Sequence, residues 1–195
     1  HPIASPPLAK MDANSSKPSL RQTLRRRRDG LTKARRPLAL ESLTAHSAWQ
    51  QSQCVASYLP TGSEQSPHLI DNLVLSSGRT LAYPRVTGHG QMVFRQHTAQ
   101  GPLESGAYGI KAPPESAPAV DVQSIDLFLV PLLACDDRGY RLGYGGGYYD
   151  RILSVARGFR CGVGFSFQRV PTLPLEQHDV CVHAFLSERT LELFN

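Results

Sequence analysis

The chain has 195 residues, 41% of them hydrophobic, and a formal net charge of +5. That length suits one well-buried core and is short for two, and no apolar run approaches the roughly 20 residues of a membrane helix. The positive charge gathers near the N-terminus, which points to a polyanionic partner, either nucleic acid or a phosphorylated small molecule.

Residues 1–16 are expected to be a disordered or vector-derived tail, with Met11 as the natural start. HPIASPPLAK pairs two prolines and lacks the continuous apolar core of a signal peptide. A helix is predicted over Pro18 to Leu31. Leu20, Leu24 and Leu31 recur at near-helical spacing, and Ser19 offers an N-cap. Its other faces carry Arg21 and Arg25 to Arg28. Lys33, Arg35 and Arg36 follow, and Asp29 is the one acidic offset. A second helix is predicted over Leu38 to Gln51, with Trp49 in a packing role.

The pattern then changes. CVASYL (Cys54 to Leu59) reads as a short strand stopped by PTGSE. His68 to Leu75 reads as a helix closed by SSG. Thr80 to Val86 and Gln91 to His97 read as strands, the second with alternation of period two. Gly101 to Pro118 is rich in Pro and Gly and reads as loop. Ile125 to Leu133 (IDLFLVPLL) is continuously apolar, as a strand buried on both faces should be. YYDRILSVAR is helical, RCGVGFSF is a strand, and PTLPLEQHD is loop. The last strand is predicted near Val180 to Val182. Strands alternating with helices argue for an α/β fold. Residues 17–195 are expected to form a single domain, with a largely parallel open sheet flanked by helices in a Rossmann-like three-layer arrangement. Cys54, Cys135, Cys161 and Cys181 form no CxxC and read as reduced core thiols of a cytoplasmic protein. His178, Cys181 and His183 match no common zinc spacing.

One stretch carries more chemistry than the rest. RLGYGGGYYDR (Arg141 to Arg151) sets Gly143, Gly145, Gly146 and Gly147 among two arginines, an aspartate and three tyrosines. It lies between the most apolar strand and a helix beginning near Tyr148. Ligands of open α/β sheets bind beyond the carboxyl ends of strands. Glycines there let backbone N–H groups approach an anion, and a following helix N-terminus adds a favourable dipole. The run is neither GxxxxGK[ST] nor GxGxxG. On local chemistry alone it is a phosphate or nucleotide site, or else a tight turn with no ligand.

VPLLACDDRGYRLGYGGGYYDRIL resembles the signature of the 5-formyltetrahydrofolate cyclo-ligase family, in which a strand ending VPG-x-x-FD precedes G-x-RLG-x-G-x-GYYD. The likeness continues through KPSLRQTLRRRR, YLPTGSE, LAYPRV and PLEQHDV, in order, from about Lys17 to Val182. It implies ATP-dependent conversion of 5-formyltetrahydrofolate, with or without a polyglutamate tail, to 5,10-methenyltetrahydrofolate, releasing ADP and phosphate. It implies ATP contacts from Lys17, Arg21, Arg141, Leu142, Gly143, Tyr144, Gly145, Gly146, Gly147, Tyr148 and Tyr149. The folate would meet Leu59, Glu64, Tyr144, Gly145 to Gly147 and Tyr148. Arg141 and Tyr148 are the implied catalytic residues, and Asp150 and Asp179 the implied magnesium ligands. A monomeric enzyme with no membrane partner follows from the same likeness.

The sequence departs from the family at several places. Cys135 stands where Phe is frequent, and Ala112 where GI-x-EP has its Glu. Ser66 and Pro67 replace an acidic-Thr pair. Tyr144 and Gly146 take the variable places of G-x-G-x-G, which are often basic. These departures leave a second reading, a folate- or nucleotide-binding relative with weakened catalysis. A third is nucleic-acid binding through Arg25 to Arg28, although no aromatic-rich strand signature accompanies them.

Overall fold

The structure, a computed structural model, describes residues 16–31, 36–88 and 90–195. The predicted tail up to residue 15, and Lys33 and Arg35, lie outside the described residues. Helix α1 is Lys17–Gly30, α2 Leu40–Thr44 and α3 Ser47–Gln50. Strand β1 is Cys54–Ala56, α4 His68–Ser76, β2 Thr80–Gly88 and β3 Gln91–His97. Short strands follow: β4 (Glu104–Ser105), β5 (Lys111–Ala112) and β6 (Ala119–Val120). Then come β7 (Leu127–Pro131), β8 (Ala134–Cys135), β9 (Arg141–Leu142) and α5 (Tyr148–Leu153). The chain closes with β10 (Phe159–Val163), β11 (Ala184–Leu186) and β12 (Leu191–Leu193).

Among the described residues the main sheet runs β12-β11-β10-β7-β1-β2-β3-β6. Its five central strands are parallel, and β12, β3 and β6 are antiparallel. Every residue of β7 is buried, as its apolar run requires. Leu127 and Leu129 pack on one face with Leu43, Trp49, Ile70 and Val74 from α2, α3 and α4. Phe128 and Val130 pack on the other face with Phe94, Leu153 and α5. The period-two alternation of one strand thus supplies both cores of a three-layer α/β domain.

Several predicted boundaries are corrected. Helix α1 begins at Lys17 with Ser16 at its N-cap, not Ser19. Pro18 fits the first turn, where its missing N–H is not needed. The buried stripe is Leu20, Leu24 and Arg28, while Leu31 lies at the C-cap. The second helix breaks in two because the His46 side chain accepts from the Ala48 N–H and restarts the chain as α3. Gly101 to Pro118 is not all loop, since β4 and β5 pair within it. The predicted strand at Val180 to Val182 falls one turn of chain early, and the strand is β11. The helix after the glycine run is only α5, six residues, so its dipole is a small part of the site.

Leu20 and Leu24 dock α1 on a separate cluster with Leu133, Ala134, Leu142, Val170 and Leu173. Each contributes roughly 1.5–3 kcal/mol of burial. A helix this short is marginal alone, so packing rather than propensity holds it.

Asp71 is a buried carboxyl on the inner face of α4, and the Tyr83 hydroxyl donates to its Oδ2 at 2.6 Å. Burial pushes its pKa up to about 6, while the nearby Ser57 and Tyr83 hydroxyls pull the other way. The folded chain therefore holds this proton more tightly than the unfolded chain. Stability is lost as pH rises from about 4 to about 6, by up to about 3 kcal/mol from this group. Asp71→Asn should lack that slope. Urea unfolding at pH 5 and pH 8 should show the variant gaining on the parent at the higher pH. A difference independent of pH would contradict the account.

The chain leaves β1 toward β2 on one side and leaves β7 toward β10 on the other. The adjacent β1 and β7 therefore form a topological switch point, where a crevice opens beyond their carboxyl ends.

Candidate active site

A cavity of about 760 Å³ fills that crevice. The loop after β1 brings Leu59 and Glu64 to it, together with Tyr58. Helix α1 brings Lys17, Arg21 and Arg25, β9 brings Leu142, and the turn after it brings Gly143 through Gly147. Arg141, Tyr148, Tyr149 and Asp150 line the wall below that turn, and Asp179 closes the far edge. Every site residue expected from the sequence thus faces one cavity.

The glycine turn is built for its neighbours. Gly145 and Gly147 have φ of 102° and 69°, the left-handed region that favours glycine. Arg21 Nε donates to the Gly143 carbonyl at 3.0 Å. Arg151 donates to the Gly146 carbonyl at 2.6 Å and to the Gly90 carbonyl at 2.8 Å, tying the turn to the β2–β3 hairpin. A Cβ on Gly143 would lie 2.7 Å from Arg141, and one on Gly146 2.5 Å from the Tyr148 ring. The glycines therefore make room for site side chains as well as for any ligand.

Arg141 is the buried cation of the wall. Its side chain is 5% exposed, stacks over the Tyr149 ring at 5.3 Å and donates to the Pro131 carbonyl at 3.2 Å. Its Nε and the Tyr149 hydroxyl are buried without a partner among the described residues. Burial also pushes the Tyr149 phenol pKa up, so it remains a donor. They are two unpaired donors inside the wall of the cavity, an arrangement that costs free energy.

The acidic edge holds two candidate metal ligands. Lys17 Nζ donates to Asp179 Oδ2 at 2.6 Å, and the Glu176 N–H donates to the same oxygen at 2.8 Å. Burial opposes the charge on Asp179, but these bonds and the Lys17 charge outweigh it and hold its pKa below the ordinary value. Asp150 Oδ1 has only long contacts, 3.5 Å from the Val180 N–H and 3.9 Å from Arg141 Nη2. Its oxygens are hard donors with capacity to spare, which fits a magnesium ion. Glu176, His178 and Asp179 also present ligand atoms within 4.8 Å of one another, a grouping that excludes Asp150. Sequence reasoning missed Glu176, and it missed that Lys17 rests on Asp179.

One departure acquires a physical context. Ala112 is buried, and its cross-strand partner is Glu104, whose carboxylate accepts from Arg85 at 2.7 Å. A carboxylate absent at 112 is present across the ladder. The following loop carries Tyr108, 80% exposed with φ of 59°, whose hydroxyl lies 3.4 Å from that of Tyr148. The arginine cluster does not form one solvated stripe. Arg28 is buried, while Arg25 and Arg27 lie over the Tyr144 and Phe167 rings. Among the described residues no helix is long and apolar enough to cross a membrane.

Comparison with known proteins agrees with this architecture. The chain is 27% identical over 198 residues to the 5-formyltetrahydrofolate cyclo-ligase of Mus musculus, covering 93% of this chain and 98% of that one. It is 31% identical over 183 residues to the enzyme of the same name from Mycolicibacterium smegmatis, covering 89% and 94%. The NMR structure of Aquifex aeolicus 5,10-methenyltetrahydrofolate synthetase superposes with a TM-score of 0.77 at 28% identity, covering 92% of this chain and 93% of that one. The sequence profile of the 5-formyltetrahydrofolate cyclo-ligase family matches residues 13–188, and the chain belongs to that family.

Proposed function

We propose that the chain is an ATP- and magnesium-dependent 5-formyltetrahydrofolate cyclo-ligase. The observation that carries this reading is the meeting of a glycine turn, a buried arginine and two carboxylates in one cavity at the switch point of the sheet. A formamide oxygen is a poor leaving group. It attacks the γ-phosphorus of ATP, ADP departs, and the formyl oxygen becomes a phosphate ester. The folate N10 then attacks the activated carbon. The carbon–oxygen bond breaks, phosphate leaves, and N10 gives up its proton as the ring closes.

The side chains suit each task. Phosphoryl transfer depends mainly on positioning and on neutralising charge. Lys17 and Arg21 lie one helical turn apart and meet the phosphates from α1. Arg141 meets the transferring group from below. Asp150 and Asp179 would hold magnesium, which when bound neutralises phosphate charge. Tyr148 covers the activated carbon against water. Glu64 accepts from an N–H donor of the pterin, beside Leu59. The buried free thiols Cys135 and Cys161 suit a reducing cytoplasm, and we read the enzyme as a monomer.

The test follows the absorbance of methenyltetrahydrofolate when purified protein meets 5-formyltetrahydrofolate and Mg-ATP. Product is expected to form with one ADP and one phosphate per turnover. Turnover should cease with a chelator and return with added Mg²⁺. Folate binding without product under all these conditions would favour the weakened relative instead.

A further inference from the structure

Arg28 occupies the third place in the buried stripe of α1, four residues after Leu24, and is 4% exposed. Leucine would continue that stripe without cost. A buried guanidinium is tolerated only when its donors are paired. Its Nε donates to Ser63 Oγ at 2.8 Å, and Ser63 in turn donates to the Asp29 carboxylate. Its Nη1 donates to the Tyr144 hydroxyl at 2.7 Å and, at 3.4 Å, to the Leu132 carbonyl. These acceptors belong to the loop after β1, the glycine turn and the end of β7. One side chain from α1 therefore ties together three segments around the cavity.

The chain of donors has a direction. Arginine has no acceptor, so the Tyr144 oxygen must accept from Arg28. The phenol proton is then left for Glu64 Oε2, 2.8 Å away. Glu64 Oε1 accepts from the Thr61 N–H at 2.7 Å and from Thr61 Oγ1 at 2.8 Å. Burial, and then the Glu64 charge, push the Tyr144 phenol pKa up against the pull of Arg28, so the proton stays on the phenol. The Glu64 carboxylate is fixed in rotation at both oxygens, with one lone pair of Oε2 remaining for a ligand.

We propose that Arg28 is a positioning residue for the folate, acting through Tyr144 to aim the Glu64 carboxylate. This rests on the proposed function. It separates folate recognition from the phosphate contacts of Lys17 and Arg21 on the same helix.

The experiment measures both KM values, direct folate binding without ATP, and the thermal midpoint, for the parent, Arg28→Leu, Arg28→Lys and Tyr144→Phe. Arg28→Leu is expected to raise the folate KM and Kd roughly 10- to 100-fold, the scale of a lost charged hydrogen bond. The ATP KM should change less than about threefold; the midpoint should fall by a few degrees, because the Ser63 and Tyr144 oxygens lose their donor, so the split between the two KM values is the deciding readout. Arg28→Lys should recover part of the folate affinity. Tyr144→Phe should reproduce the folate loss, and adding Arg28→Leu to it should cost little more, as expected for residues acting in series. An unchanged folate Kd in Arg28→Leu would overturn the proposal. So would an equal rise in both KM values, which marks a purely structural role. A parent that forms no product fails the proposed function instead, and that outcome is read before any variant is compared.

Discussion

Arg141→Ala is expected to lower turnover about a thousandfold, while the folate and ATP complexes still form. The magnitude follows from what a well-placed arginine supplies to a transferring phosphoryl group, at least 10³ in rate or about 4 kcal/mol. The geometry gives the reason. Arg141 is 5% exposed, aligned by the Tyr149 ring and the Pro131 carbonyl, and keeps its Nε buried and unpartnered among the described residues. A group so held has lost its rotational freedom before substrate arrives, so little reorganisation remains for the reaction itself. Arg141→Lys keeps a charge but loses the planar fork, and should recover only part of the rate. Single-turnover measurements at saturating substrates isolate the chemical step. A loss below tenfold in Arg141→Ala would remove this residue from the catalytic set.

Arg141 was also among the residues accessible from sequence, and the reason is instructive. The strand β7 could be read because five consecutive apolar residues, all buried, leave few alternatives. The turn that follows it could be read because four glycines in five positions are hard to place elsewhere. The resemblance then supplied roles for residues far apart in the chain, and the fold brings all of them to one cavity. Arg28 was not accessible in this way. Its charge placed it with Arg21 and Arg25 to Arg27 on the other faces of the helix, and only Ser63 and Tyr144, 35 and 116 residues away, decide that it is buried. The one local signal was its spacing from Leu20 and Leu24, and a guanidinium in an apolar register is easily set aside. Glu104 was hidden for a similar reason, since its pairing opposite Ala112 exists only once β4 and β5 form inside a Pro- and Gly-rich stretch. Boundaries at His46 and Pro18 depended on side chain to backbone bonding and first-turn geometry, which periodicity does not report.

The glycine turn itself needs a finer division than backbone room for a phosphate. Gly147 holds φ of 69° at the N-cap of α5, and a Cβ there would first meet Arg151 at 3.1 Å. Its substitution strains the backbone by roughly 1–2 kcal/mol whatever binds. Gly146 lies outside the left-handed region, so alanine suits its backbone. What alanine meets instead is the Tyr148 ring, at 2.5 Å and 2.7 Å from two ring carbons. The ring must swing away, and little holds it back: Arg151 over its face at 5.5 Å and the exposed Tyr108 hydroxyl. The displacement therefore costs little stability. It does remove the cover from the place where the activated carbon would sit, and a misplacement of about 1 Å at a reacting centre can cost 10²-fold in rate. Gly146→Ala is expected to lose about a hundredfold in kcat while its thermal midpoint falls by less than about 3 °C, the scale of 1 kcal/mol for a chain of this length. Gly147→Ala should show the larger fall in midpoint. Melting curves and initial rates on both variants decide the matter: a fully active Gly146→Ala, or one as destabilised as Gly147→Ala, would mean that the Tyr148 ring does not close the site.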